Sequence, residues 1–146
     1  MTPLNVELHK CLVDKMVRIR RKGVAIVETS KGILLVSGRR KIFSFPGGGA
    51  NKGESRKIAT IRELKEETGI KAKSAKYLFS YKGKYWHDHK GRKVRNHAKV
   101  FLITAKGNPK PRHEIKYIGW WKPGSRLRIS KRTKSVIEKY LREKLD

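Results

Sequence analysis

With 146 residues, 37% of them hydrophobic, the chain suits one domain with a modest core; its lone cysteine, Cys11, rules out an internal disulfide. No stretch approaches the ~20 apolar residues of a membrane-spanning helix. Against 38 lysines and arginines stand only 12 aspartates and glutamates, a formal net charge of +26 spread from Lys10 to Lys144, so the surplus belongs to a folded surface that either attracts polyanions or simply stays solvated.

Residues 1–21 contain no apolar run of signal-peptide length and read as an N-terminal extension, packed on or flanking a single domain of residues 1–146 in the cytoplasm. Cys11 in it reads as a small, semi-buried apolar residue. Val24 to Glu28 and Ile33 to Val36 are β-branched runs separated by Thr29, Ser30, Lys31 and Gly32, which predicts a hairpin. Phe43 and Phe45 continue in extended form to Pro46, after which Gly47, Gly48 and Gly49 open a loop. From about Ser55 the apolar spacing turns helical through Ile58, Ile61 and Leu64, and Gly69 stops the helix after Thr68.

Tyr77, Phe79 and Tyr81 alternate along one strand, Val94 to Thr104 forms a second, and the polar stretch Lys82 to Lys93 joins them as a long hairpin. Its tip, Trp86, His87, Asp88 and His89, lacks a fourth metal partner and reads as a hydrated turn, while His97 reads as a strand residue. A proline-containing loop, Lys106 to Arg112, leads to the strand Ile115 to Trp121, and Val136, Ile137, Tyr140, Leu141 and Leu145 stripe a C-terminal helix. Hairpin-linked strands with one helix between them and one at the end predict a mixed sheet covered by helices.

Four of the scarce acids fall in one segment: Glu54, Glu63, Glu66 and Glu67. On a helix, Ile58, Ile61, Leu64 and Thr68 share a sector of roughly 120°, and Glu63, Glu66 and Glu67 a similar sector opposite. Carboxylates so close repel one another unless a cation sits among them, and Mg²⁺ is a hard cation that accepts a few carboxylates and fills its octahedron with water and phosphate oxygens. The glycines before the helix let a main-chain carbonyl join as a ligand and leave room for a phosphate at Gly48 and Gly49. Arg62 is placed to pair with Glu66 or Glu54.

The same segment resembles the Nudix box. Gly48, Glu54, Arg62, Glu63, Leu64, Glu66, Glu67, Gly69 and Ile70 fill every specified position of that motif without a gap. The resemblance implies an α/β/α sandwich with the carboxylate helix on one face, and Mg²⁺- or Mn²⁺-dependent hydrolysis of a nucleoside diphosphate linked to another group. It further implies Glu66 and Glu67 as metal ligands, Glu63 as ligand or general base, Gly47 as a ligand through its carbonyl, and Arg62 and Glu54 as orienting residues.

Outside the box, Glu114 stands alone between Asp88 and Glu138 and is a candidate further acid of the site or a surface charge. Trp120 and Trp121 point to opposite sheet faces, one for the core and the other, with Trp120 preferred, for stacking on a base. The chain's compactness favours a nucleoside triphosphate as substrate, such as 8-oxo-dGTP. Dinucleoside polyphosphates, diphosphoinositol polyphosphates and RNA 5′ ends are alternatives, and a non-catalytic RNA-binding module is the rival from another class. Membrane association is not expected, nucleic acid is a further partner for the basic surface, and the sequence leaves monomer and homodimer open.

Overall fold

The computed structural model describes residues 17–146 together with Thr2, Asn5, Val6 and Leu8; Cys11 and most of the N-terminal extension lie outside the described residues. Strand β1 spans Arg18–Ile26, so Arg18 to Arg21, assigned from sequence to the extension, belong to the sheet. There follow β2 (Glu28–Thr29), β3 (Gly32–Ser37), β4 (Gly47–Gly49), α1 (Arg56–Thr68), β5 (Lys71–His87), β6 (Lys93–Lys106), β7 (Tyr117–Trp121) and α2 (Lys131–Leu145). Among the described residues no helix is long and apolar enough to cross a membrane.

The strands form two sheets, a four-stranded one ordered β4-β1-β6-β5 and a three-stranded one ordered β2-β3-β7. The first is mixed, because β1 runs parallel to β6 while its other pairs are antiparallel. Two sequence expectations are corrected here. The hairpin pairs only β2 with β3, and Val24 to Ile26 instead pair with β6 in the other sheet; the chain changes sheets at Val27, whose carbonyl accepts from the Leu34 amide. The triple glycine is not a loop but the edge strand β4, paired with Lys22 to Val24.

Alternation along β1 feeds two apolar clusters, one on each side of the sheets. Val24 and Ile26 join Ile33, Leu35, Val100 and the α2 residues Val136 and Tyr140, whereas Ala25 and Val27 join Leu34, Phe101, Ile103 and Leu64 of α1. With both faces covered by helices, the architecture is an α/β/α sandwich, and β1 and β3 read as continuous apolar runs for that reason. In β5 a bulge between Tyr77 and Phe79 breaks the expected alternation: Phe79 is buried in the α2-side cluster, while Tyr77 sits beside Phe101 of the other, centroids 6.0 Å apart.

Helix α1 begins and ends as its sequence implies. Ser55 Oγ accepts from the Ile58 amide, and Gly69, at φ 78°, closes the last turn by donating its amide to the Lys65 carbonyl. Its buried face, however, is turned from the one expected: Ala59, Thr60, Leu64, Glu67 and Thr68 are buried and Ile58 is 54% exposed. The small residues face inward because α1 lies almost against β1. A Cβ on Gly23 would stand 1.9 Å from Thr60 Oγ1 and 2.5 Å from the Arg56 carbonyl oxygen.

Gly23→Ala should therefore force the helix backbone outward and lower stability by about 1–3 kcal/mol, measurable as a fall in thermal unfolding temperature. An unchanged melting temperature would show that the helix is not seated on that glycine.

Candidate active site

The approach of α1 to the sheet sets the position of its acids. Gly48 faces Gly23 across the β1–β4 pair, and a Cβ on it would lie 2.7 Å from Glu63 Cδ. Gly47 has φ 149°, and a Cβ there would lie 2.2 Å from the Gly23 carbonyl oxygen. Gly47 thus takes a conformation and a closeness that suit glycine alone, Gly48 leaves the Glu63 side chain its room, and the Gly47 amide donates to Glu67.

Arg62 ties the segment together. Its Nε and Nη2 donate to the two oxygens of Glu54 at 2.9 Å each, Nη1 to Glu63 at 3.0 Å and to Glu66 at 3.3 Å, and Nη2 also to the Gly49 carbonyl at 3.1 Å. The fork-to-carboxylate pair with Glu54 is the geometry at which arginine is strongest. Arg62 and the Asn51 amide hold the Glu54 carboxyl down at about 2. The guanidinium is itself pushed above its ordinary range by Glu54 first and by Glu63 and Glu66 after it.

Glu67 receives no such cation. It is 5% exposed, and burial first, then the charges of Glu63 and Glu114, push its carboxyl up to about 8, against the pull of the Gly47 backbone amide. Carboxylate oxygens of Glu63, Glu67 and Glu114 all lie within 4.8 Å of one another. Three acids crowded this closely, one of them buried and starved of positive charge, are a donor set of the kind that hard divalent cations take. The residues present thus fit Mg²⁺ or Mn²⁺.

Of the acids weighed from sequence, the structure brings Glu63, Glu67 and Glu114 together, with Glu66 one step aside on Arg62, its side chain 48% exposed. Glu114 comes from the segment before β7, which is clamped to the end of α1: the Lys110 and Arg112 amides donate to the Thr68 and Glu67 carbonyls. His113, at φ 55°, turns the chain there, and the Lys116 amide pairs with Ser37 as the segment enters the sheet. No local sequence signal announces that clamp.

Lys22 is the residue that sequence reasoning passed over. It sits opposite Gly49 in the β1–β4 register, feels the charge of Glu67, and lines a cavity of about 640 Å³ with Phe45, Tyr81, Asn96 and Arg132. Burial first, then Arg20, lowers the Lys22 pKa, while Glu67 opposes the shift. Asn96 Oδ1 is buried without a hydrogen-bond partner. Trp120 does not line this cavity: it packs on the α1-side cluster, with Lys31 Nζ 5.8 Å from its ring centroid. At the hairpin tip Asp88 accepts from the Lys90 and Arg92 amides and pairs with Arg92, so its oxygens are already in use.

A family model for the NUDIX domain matches residues 18–140, and the chain belongs to that family. A solved structure provisionally assigned as a Nudix hydrolase family member from Chromobacterium violaceum is 34% identical, with TM-score 0.69, over 85% of this chain and 77% of that one. The MutT protein of Methanosarcina mazei shares the fold at 22% identity and TM-score 0.69, over 89% and 98% of the two chains. Among curated relatives, an RNA pyrophosphohydrolase of Haemophilus ducreyi is 39% identical over 83 residues, 53% of this chain and 41% of the relative. A Bacillus subtilis protein provisionally named an 8-oxo-dGTP diphosphatase is 45% identical over 49 residues, 34% and 31% of the two chains. The matched chain thus spans less than half the length of either curated relative.

Because the folded-state pKa of Glu67, about 8, lies above its ordinary 4.5, its contribution to stability is fully present below the lower value and lost as pH rises through the higher. Metal-free protein should therefore lose thermal stability between about pH 5 and pH 9. Glu67→Gln should flatten that slope, and saturating Mg²⁺ should replace it by taking the place of the proton. Parallel curves for the wild type and Glu67→Gln would contradict the assignment.

Proposed function

We propose that the chain is a divalent-metal-dependent hydrolase of a nucleoside triphosphate, releasing the monophosphate and pyrophosphate. The observation that carries this reading is the adjacency of two features: a cluster of three acids whose only ion pair among the described residues is that of Glu63 with Arg62, and a cavity lined by cations and rings, joined through Lys22. A pure binder of polyanions gains nothing from three crowded carboxylates. The names of the two curated relatives agree with phosphoanhydride chemistry on nucleotides.

Glu63, Glu67 and Glu114 would hold Mg²⁺, and the Gly47 carbonyl is a further candidate ligand. A metal bound there supplies neutralisation of the polyphosphate charge and a water acidified toward neutral pH. Glu63 has one oxygen fixed by Arg62 Nη1, and its other oxygen would serve either as a metal ligand or as the base that accepts the attacking water's proton. Arg62 keeps Glu63 and Glu66 in orientation, and Glu54 keeps Arg62. Gly48 and Gly49 would lie against the polyphosphate, where Glu63 and the Arg20 guanidinium flank them, and Lys22 with Arg132 would offset its charge on the cavity side.

The nucleoside occupies the cavity, where Phe45 and Tyr81 offer apolar ring surface. The unpartnered Asn96 Oδ1 there accepts a hydrogen bond from a donor on the base edge, since a buried acceptor left unmatched is costly. Trp120 is assigned to the core.

A substrate panel of ordinary and oxidised nucleoside triphosphates, dinucleoside polyphosphates and ADP-ribose, each with Mg²⁺ and Mn²⁺, tests the class of reaction. Nucleoside triphosphates should lead, and Glu66→Gln and Glu67→Gln should each lower kcat by roughly a hundredfold or more with the fold retained. Full turnover in both variants, or ADP-ribose far ahead of every triphosphate, would contradict the proposal.

A further inference from the structure

The nucleoside cavity does not end at Lys22. Alternation along β1 puts Arg18, Arg20 and Lys22 on one face, and their register partners on β6, Val94, Asn96 and Ala98, share it. Trp86 on β5 stands beside Val94 in the same row. Lys22 and Asn96 line the cavity, whereas Arg18, Arg20, Val94 and Trp86 line a second, open groove of about 540 Å³. The far wall of that groove includes Lys52, in the loop that leads to Glu54. Cavity and groove thus adjoin along the row Arg18, Arg20 and Lys22, with Ile19 and Arg21 of the other face also at the groove, and a mononucleotide fills only the first.

We infer that the groove of Arg18, Arg20, Lys52 and Trp86 is a docking track for single-stranded RNA, holding the nucleotides that follow the one in the cavity. The inference rests on the reading of the acid cluster and cavity as a nucleotide polyphosphate site. Three observations favour this occupant. The cationic side chains suit a phosphate backbone, and Asp88, the one acid lining the groove among the described residues, is already neutralised by Arg92. Trp86 is 42% exposed, which on a polar rim suits stacking with an unpaired base; an acidic peptide lacks a comparable ring face, and a duplex hides its bases within the stack. The polynucleotide must also carry a 5′ polyphosphate if its first nucleotide is to lie beside Glu63 and Glu67, and an unprocessed RNA strand does.

The test uses the whole protein and a ten-nucleotide single-stranded RNA with a 5′-hydroxyl end, so that binding is read without hydrolysis, by fluorescence anisotropy at low and physiological salt. The wild type should bind, and Trp86→Ala should weaken binding roughly fivefold or more. Arg18→Gln should weaken it less and lower the salt dependence. Both variants should hydrolyse nucleoside triphosphates as the wild type does, because neither residue lines the cavity. Equal binding by wild type and both variants would overturn the docking track, as would an RNA duplex of the same length binding as tightly as the strand. Weakened binding in the variants, with no hydrolysis of any triphosphate by the wild type, would uphold the track and overturn the hydrolytic reading on which its functional sense rests.

Discussion

Helix α1 lies so near strands β1 and β4 that side chains are excluded between them, and most of the site follows from that one constraint. Gly23 and Gly48 leave no Cβ in the interface, Gly47 lets β4 lie close on β1, and Ala59 and Thr60 are among the buried helix residues. A larger side chain at Gly23 would lift the helix, one at Gly48 would displace the Glu63 side chain, and one at Gly47 would push β4 off β1, so each would disturb the ground on which Glu63 and Glu67 meet Glu114. Packing rather than helix propensity therefore fixes the carboxylate geometry. The same approach buries Glu67, which gives the site a carboxyl that burial disposes to keep its proton unless a cation takes the proton's place.

The Glu67 carboxyl keeps no hydrogen-bonded cation among the described residues of a chain of net charge +26 because the nearby cations are already committed. Arg62 directs donors from all three of its nitrogens to Glu54, Glu63, Glu66 and the Gly49 carbonyl, leaving none for Glu67. Lys22, the cation that does feel Glu67, is itself shifted down by burial and faces the cavity. A surplus of positive charge of this size attracts polyanions at longer range and is screened beyond roughly 8 Å at physiological salt.

The sequence carried the helix caps, the hairpin-linked strands and the box acids, because capping residues, β-branched runs and fixed spacing are local signals. Ser55 and Gly69 bound α1 as read, and Gly48, Glu54 and Arg62 stand where the motif implies. The helix's buried face was not legible from hydrophobicity: Ile58 looks apolar and lies out, while Glu67 looks polar and lies in, since the close approach to glycine outweighs side-chain preference. Glycine runs suggest loops, yet Gly47 to Gly49 pair as a strand because β1 needs an edge partner without bulk on the helix side. Glu114 and Lys22 were ambiguous or unseen for a shared reason: their places depend on long-range pairings, the loop amides on the end of α1 and the β1–β4 register.

The central claim is that a helix and a distant loop build one cation site, with Glu114 a full member beside Glu63 and Glu67. Binding of Mn²⁺ measured by the loss of the free-ion electron paramagnetic resonance signal addresses it directly, because it reads the ion without substrate or turnover. Glu114 is exposed, so Glu114→Gln should leave the fold intact. The account predicts that this variant binds Mn²⁺ at least roughly tenfold more weakly than the wild type. Wild-type affinity in Glu114→Gln would mean that the loop acid stands outside the site, and would contradict it.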